Sequence, residues 1–168
     1  NYCSENSKEF LAMVLLAYHS LIRPKEITYL RKEYFDLKKQ AIHLPGKITK
    51  NGNDRIASMP KSLVGLMGEI LADVNDNEFV FAKNFKAGKT RVNTREINRF
   101  WDEIRREQNL KKEIQFYSLR DTGIITKLQD GINPATVMQL ADHSSLEVTN
   151  NYVKIAQNMM YANFASIY

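Results

Sequence analysis

Near the start of the chain, apolar residues recur at helical spacing. Phe10, Leu11, Val14, Leu15, Tyr18, Leu21 and Ile22 share one broad face, which predicts a helix beginning near Ser7. Pro24 suits the first turn of a second short helix over 24–30. The period then shortens. Tyr34–Leu37, Gln40–Leu44, Gly46–Thr49 and Arg55–Met59 are short β-capable runs, and Lys50-Asn51-Gly52-Asn53-Asp54 separates the last two. Asn-Gly tolerates positive φ, so a small antiparallel sheet of about three strands is predicted over 35–59. Helical spacing returns after Pro60 with Leu63, Val64, Leu66, Met67, Ile70 and Leu71, over 61–73. Phe79-Val80-Phe81 is a short extended piece, and 83–91 is a basic loop. Residues 93–108 form an amphipathic helix with Ile97, Phe100, Trp101 and Ile104 inward. Ser118 is the expected cap of a helix over 119–130, stopped by Gly131. Pro134 opens a further helix to about Ala141. Ser144 and Glu147 fit a capping box for a helix to about Ile155, and 158–167 reads as a last helix with Met159, Met160, Phe164 and Ile167 apolar. The expected fold is mainly α with a small antiparallel β-sheet, an α+β class, in one domain.

Composition narrows the function. A hydrophobic fraction of 43% and a charged fraction of 26% over 168 residues are those of a globular domain with a real core. No apolar run approaches the ~20 residues that span a bilayer, so no membrane partner is expected. The single cysteine, Cys3, cannot form an internal disulfide, which favours a reducing compartment. His19, His43 and His143 are scattered and join no Cys or carboxylate cluster, so no metal site is expected. Neither a G-x-G-x-x-G nor a P-loop pattern is present, so no nucleotide cofactor is expected. The net charge of +5 is uneven: residues 83–112 hold 10 basic against 4 acidic side chains, which points to a polyanion partner or a solvated charged face. Lys83, Lys86, Lys89, Arg91, Arg95 and Arg99 are the candidate contacts of that zone. Its first residue, Asn1, and the absence of a signal pattern suggest a piece of a longer protein.

Four segments carry candidate chemistry. Arg23 lies at a helix junction three residues before Glu26, whose carboxylate can orient it while the guanidinium faces elsewhere. Lys50 is placed at a hairpin tip, from which a flexible ammonium can enter a site. Arg120 follows Tyr117 by three residues in the first turn of a helix, a place that favours anions. Tyr152 follows His143 by nine residues, on an apolar stripe with Val148, Ile155 and Met159. Each has a plain alternative: an exposed ion pair, a turn lysine, a surface arginine paired with Asp121 or Asp142, and a core tyrosine.

Taken together, Arg23-x-x-Glu26, Lys50, Tyr117-x-x-Arg120, His143-Ser144-Ser145 and Tyr152 resemble, in order and spacing, the catalytic domain of the tyrosine recombinases, the phage-integrase family. The likeness runs from Asn6 to about Lys154. It implies the integrase catalytic-domain fold and site-specific DNA recombination by strand cleavage and rejoining, without metal, cofactor or ATP. By the resemblance, Tyr152 attacks the scissile phosphate to form a 3′-phosphotyrosine. Arg23 and Arg120 clamp its oxygens, Lys50 protonates the leaving 5′-oxygen, His143 hydrogen-bonds the phosphate and Glu26 supports the site. It further implies that 1–168 is a single C-terminal catalytic domain whose N-terminal DNA-binding domain lies outside this chain. The partners would be a double-stranded recombination site and other protomers in a tetrameric synapse, in a bacterial or phage-infected cytoplasm.

Three positions depart from the family pattern. Tyr117 stands where His is usual, Asp142 where Gly precedes the motif His, and Lys154 where His often follows the nucleophile. The alternatives are a catalytically impaired recombinase-like DNA-binding module and a helical protein-interaction domain. The apolar Met159, Met160, Phe164 and Ile167 suit a tail docked on a neighbouring protomer or packed back on its own domain.

Overall fold

The computed structural model describes residues 7–165, with side chains to 162; the expectations about Cys3, Phe164 and Ile167 lie outside the described residues. The order is α1 (Lys8–His19), α2 (Pro24–Ile27), β1 (Phe35–Asp36), β2 (Ala41–Leu44), β3 (Arg55–Ser58), α3 (Lys61–Ala72), α4 (Thr94–Glu107), α5 (Ser118–Gln129), α6 (Pro134–Ala141) and α7 (Leu146–Ala165). Short 3-10 turns occupy Lys32–Tyr34 and Lys83–Phe85. The mainly helical reading with one small sheet agrees with this architecture.

Helix α1 is the central beam. Ser7 caps it, its hydroxyl accepting from the Phe10 N–H at 3.1 Å. Phe10, Ala12, Met13, Leu16 and Ala17 are buried against α3 and α5. The Phe10 ring meets Phe85, Phe100 and Phe116 at 4.9, 4.6 and 5.6 Å, all edge-on, which suits the ring quadrupoles. Each such fully buried ring contributes roughly 2–3 kcal/mol. Helix α5 lies close on α1 because Gly123 has no side chain: a Cβ there would run into the Tyr18 carbonyl. The Tyr18 hydroxyl donates to Thr126 Oγ1 at 3.3 Å across the same contact.

The sheet has the order β1-β2-β3, all antiparallel. Ile42 and Leu44 of β2 face the core, and the register pairs them with Ala57 and Arg55. Ile56, on the other face, is 60% exposed. Gly46–Thr49, expected as a strand, is a turn instead. Gly46 N–H donates to the Asp54 carboxylate at 2.6 Å, and Thr49 Oγ1 donates to the carbonyls of Gly46 and Asn53. Residues 45–54 therefore form one self-bonded loop with Lys50 exposed near its tip. A Cβ at Gly46 would strike the Gly52 carbonyl, so the loop closes only with glycine there.

Three other expectations need correction. Helix α2 ends at Ile27, before 30, because its last turn tightens with Tyr29 N–H bonded to the Glu26 carbonyl. Ser118 is the first residue of α5 rather than its cap; Tyr117 holds the cap position, and Ser118 Oγ accepts from Gln115 N–H at 3.1 Å. The two expected C-terminal helices are one, α7, since nothing near residue 158 breaks it. The stripe of Val148, Ile155 and Met159 faces outward, and the helix docks on α5 and α6 through Thr149 and Ala156. Small residues allow closer approach there than the large apolar ones.

Among the described residues no helix is long and apolar enough to cross a membrane. The α1–α5 contact gives a direct test. Gly123→Ala should destabilise the fold by about 2 kcal/mol or more through overpacking against backbone. Urea unfolding measures it; an unchanged midpoint would contradict the close packing.

Candidate active site

The site forms where the ends of α1, α5 and α6 meet. Arg120 is 1% exposed. Its two Nη groups donate to the carbonyls of Leu21, just after α1, and Ala141, the last residue of α6. Leu21 adopts φ 53, a left-handed conformation that costs a β- or γ-branched residue about 1–2 kcal/mol. Burial and then the neighbouring Arg23 cation pull the Arg120 pKa below its ordinary value, but a guanidinium stays charged at neutral pH. Arg120 Nε has no partner among the described residues. The plain alternative, a surface arginine paired with Asp121 or Asp142, does not hold, because Arg120 is buried.

Arg23 packs beside it. One Nη donates to Glu26 Oε1 at 3.0 Å and Asp142 Oδ2 at 2.7 Å, and the other to the Asp142 carbonyl at 2.6 Å. Asp142 sits in the left-handed region, φ 52, as the cap of α6. Aspartate tolerates this conformation, which explains how it replaces the glycine expected there. Glu26 is 2% exposed and also pairs with Arg55 Nη2 at 2.8 Å. Burial opposes its charge, yet Arg55 and then Arg23 hold its pKa below the usual carboxylate range. Its Oε1 further accepts from the Lys50 N–H at 3.3 Å, which ties the hairpin loop to the site. Glu26 therefore bonds three residues, Arg23, Lys50 and Arg55, the first through both side chain and backbone.

His143 and Tyr152 lie on the other flank. Their rings stack at 5.5 Å with an interplanar angle of 17°. His143 Nδ1 is 2.9 Å from Thr149 Oγ1. Burial, then Arg120 and Arg23, push the His143 pKa down to about 4, so the ring is neutral at pH 7. The Tyr152 hydroxyl donates to Asp121 Oδ1 at 2.8 Å. Burial and that hydrogen bond raise its pKa above the ordinary phenol value. Tyr117 is 44% exposed and lines a cleft of about 720 Å³ with Arg23, Lys25, Glu26, Tyr29, Lys47, Lys50, Thr94 and Asn98 among others. Four cations against one carboxylate make this cleft basic.

Arg23, Glu26, Arg120, His143 and Tyr152 are thus one connected cluster, with Lys50 and Tyr117 along the adjoining cleft. None of Lys83, Lys86, Lys89, Arg91, Arg95 and Arg99 lines that cleft. Lys86 and Arg99 border a different hollow that also holds Glu9, Glu96 and Glu103. Arg91 is committed to structure: it donates to Thr28 Oγ1 at 3.1 Å and covers the Tyr29 ring at 4.1 Å. Lys25, Lys47, Arg55 and Asp121 belong to the site beyond the residues that the sequence motifs mark. For Arg55 a signal existed: antiparallel pairing with the inward Ile42 and Leu44 turns Ala57 and Arg55 inward and Ile56 out. Asp121 offered none beyond its adjacency to Arg120.

Comparison with known proteins follows this geometry. A model of the phage integrase family matches residues 1–159. The chain is 27% identical over 145 residues to the tyrosine recombinase XerA of Thermococcus kodakarensis, covering 85% of this chain and 50% of that protein. A crystal structure of XerA recombinase superimposes with a TM-score of 0.78 at 22% identity, over 97% of this chain and 60% of that one. XerH recombinase, solved with palindromic difH substrate after cleavage, gives 0.75 at 15% identity, over 94% of this chain and 45% of that one. These structural likenesses carry the fold. The chain spans about half the length of the curated relatives it matches.

Two outcomes test the electrostatics. Glu26→Ala leaves Arg23 and Arg55 without their shared carboxylate and should cost about 3–5 kcal/mol in chemical unfolding. His143 should stay neutral in an NMR titration until about pH 4. The unfolded chain protonates this ring near 6.5, so its contribution is intact above that pH, declines as pH falls toward 4, and is fully lost below. Glu26, with its lowered pKa, acts in the same direction at more acid pH.

Proposed function

The chain belongs to the phage integrase family, and on that basis we propose that it is the catalytic domain of a tyrosine site-specific recombinase, breaking and rejoining DNA through a 3′-phosphotyrosine. The observation that carries the reading is the gathering of two arginines, a neutral imidazole and a phenol around the turn at Ala141–His143. These are the groups needed to bind a phosphodiester and attack it. DNA duplex is the partner, entering the cleft that Arg23, Lys25, Lys47 and Lys50 line. Further protomers on that DNA and a second DNA-clamping domain complete the synapse, in the cytoplasm of a bacterial or phage-infected cell.

In this mechanism Arg23 and the unused donors of Arg120 hold the non-bridging oxygens and stabilise the charge of the transition state. A phosphate must first displace the Asp142 carboxylate, which holds one Arg23 Nη while the Asp142 carbonyl holds the other. His143, neutral and held by Thr149, donates or accepts one hydrogen bond without adding charge. Tyr152 forms the Oη–P bond as the P–O5′ bond breaks. Lys50, on its self-bonded loop, delivers the proton to the departing 5′-oxygen. The bond energy stays in the phosphotyrosine, so another strand's 5′-hydroxyl reverses the steps without ATP.

Asp142 supports a second reading, a DNA-binding relative of lowered activity, since its carboxylate occupies the clamp. Both are tested together. With the full-length protein and a pool of nicked duplexes of randomised sequence, wild type should give an SDS-resistant adduct unaffected by EDTA, and Tyr152→Phe none. Lys50→Ala should cleave about 100-fold or more slowly and recover when the bridging 5′-oxygen is sulfur, a leaving group that needs no acid. Asp142→Gly keeps the left-handed turn and removes the competing carboxylate from Arg23, so both DNA affinity and adduct yield should rise. Salt-sensitive binding with no adduct from wild type would select the second reading.

A further inference from the structure

The attack described above leaves one proton without a destination. Tyr152 must shed it as the Oη–P bond forms, and its environment resists early loss: burial and hydrogen bonding hold the phenol neutral. Four groups face it. Tyr117 is itself a phenol, a hydrogen-bonding group that accepts a proton poorly. Arg120 is a permanent cation. The His143 ring lies nearly parallel to the Tyr152 ring with centroids 5.5 Å apart, its Nδ1 is engaged by Thr149, and the Tyr152 hydroxyl is hydrogen-bonded to Asp121. The fourth is Asp121, whose Oδ1 is 2.8 Å from Tyr152 Oη.

Resting on the recombinase reading, we propose that Asp121 is a further catalytic residue, the general base that takes the Tyr152 proton during strand cleavage. A carboxylate can only accept, so this hydrogen bond already runs in the direction of transfer. Asp121 lies in the first turn of α5, where the helix dipole supports its negative charge. Its place next to Arg120 puts the base and the phosphate clamp on one rigid turn. In the step, Oη–H breaks and Oη–P forms, P–O5′ breaks, Asp121 gains the phenolic proton and Lys50 gives one to O5′. Rejoining reverses each transfer, so both residues are restored.

The test uses the full-length protein and a nicked duplex recovered from the randomised pool as a wild-type adduct. Asp121→Asn keeps the shape and removes the basicity. It should slow single-turnover adduct formation by about 100-fold or more while gel-shift affinity stays unchanged. The Asp121 contribution to the acid limb of the wild-type pH–rate profile should vanish in this variant, leaving the fall near pH 4 that His143 protonation brings. Sulfur at the bridging 5′ position should leave the defect in place, unlike that of Lys50→Ala. Asp121→Glu, which retains a carboxylate, should recover part of the rate and keep the acid limb. Should the Asn variant not fold, the Glu variant still decides: cleavage by Asp121→Glu no faster than by Asp121→Ala overturns the proposal. Cleavage by D121N within threefold of wild type, or faster, also overturns it, the latter marking Asp121 as a restraint on the nucleophile. If wild type itself yields no adduct, the recombinase reading falls and this proposal with it; D121N at full rate beside an inactive Y152F removes only the proposal.

Discussion

The burial of one guanidinium organises this domain. Arg120 is a permanent cation with almost no solvent contact, and isolating such a charge in a protein interior costs several kcal/mol unless its donors are met. Two of them are met by backbone carbonyls, from Leu21 after α1 and from Ala141 at the end of α6. Carbonyls are dipoles rather than counter-ions, so the positive charge is held but not cancelled. Presenting them has conformational consequences. Leu21 takes a left-handed backbone, and so does Asp142, the residue after Ala141. The strain at both turns is the local counterpart of an arginine that must stay in place and stay charged.

A second arginine beside the first makes the balance harder. Arg23 and Arg120 repel, and the fold offsets this with Glu26 and Asp142. Glu26 is buried and shared with Arg55, which makes it a structural carboxylate. Asp142 is at the rim and meets Arg23 through both side chain and backbone, which makes it replaceable by an anion of similar shape. The two carboxylates therefore have different fates: one anchors the hairpin to α2, and the other stands in the place a phosphate would take. Excess positive charge left at the rim is continuous with Lys25, Lys47 and Lys50 in the cleft. Stability and anion binding draw on the same charges, so what strengthens one at Asp142 weakens the other.

Helix α7 shows the same separation of roles. Its buried face is small, Thr149 and Ala156, and Thr149 also holds His143. Its large apolar side chains, Val148, Ile155, Met159 and Met160, remain exposed. Tyr152 lies between these faces, half-buried, with its ring on His143 and its hydroxyl on Asp121. The helix is held by its contacts around the tyrosine more than by its apolar stripe.

Much of this was legible in the sequence. Helical spacing located α1, α3 and α4, the Asn-Gly turn marked the hairpin loop, and Ser7, Pro24, Pro134 and Gly131 marked helix ends, because these depend on local preferences and on period. The spacing of Arg23, Glu26, Lys50, Arg120, His143 and Tyr152 identified the family. The strand expected at Gly46–Thr49 was misread because its apolar and β-branched residues serve a loop that bonds to itself. The outward orientation of the stripe on α7 is not legible in the sequence, because apolar character alone does not say which face a helix docks. What only the tertiary structure decided was partnership: that Arg120 is buried, that Asp142 joins the nearby Glu26 in binding Arg23, that Arg55 shares Glu26 with Arg23, and that Asp121 receives the Tyr152 hydroxyl. Local pattern determines elements because each residue there answers to neighbours a few positions away. The charged contacts join residues as far as 119 positions apart, Arg23 to Asp142, and their energies depend on burial that exists only once the chain has closed.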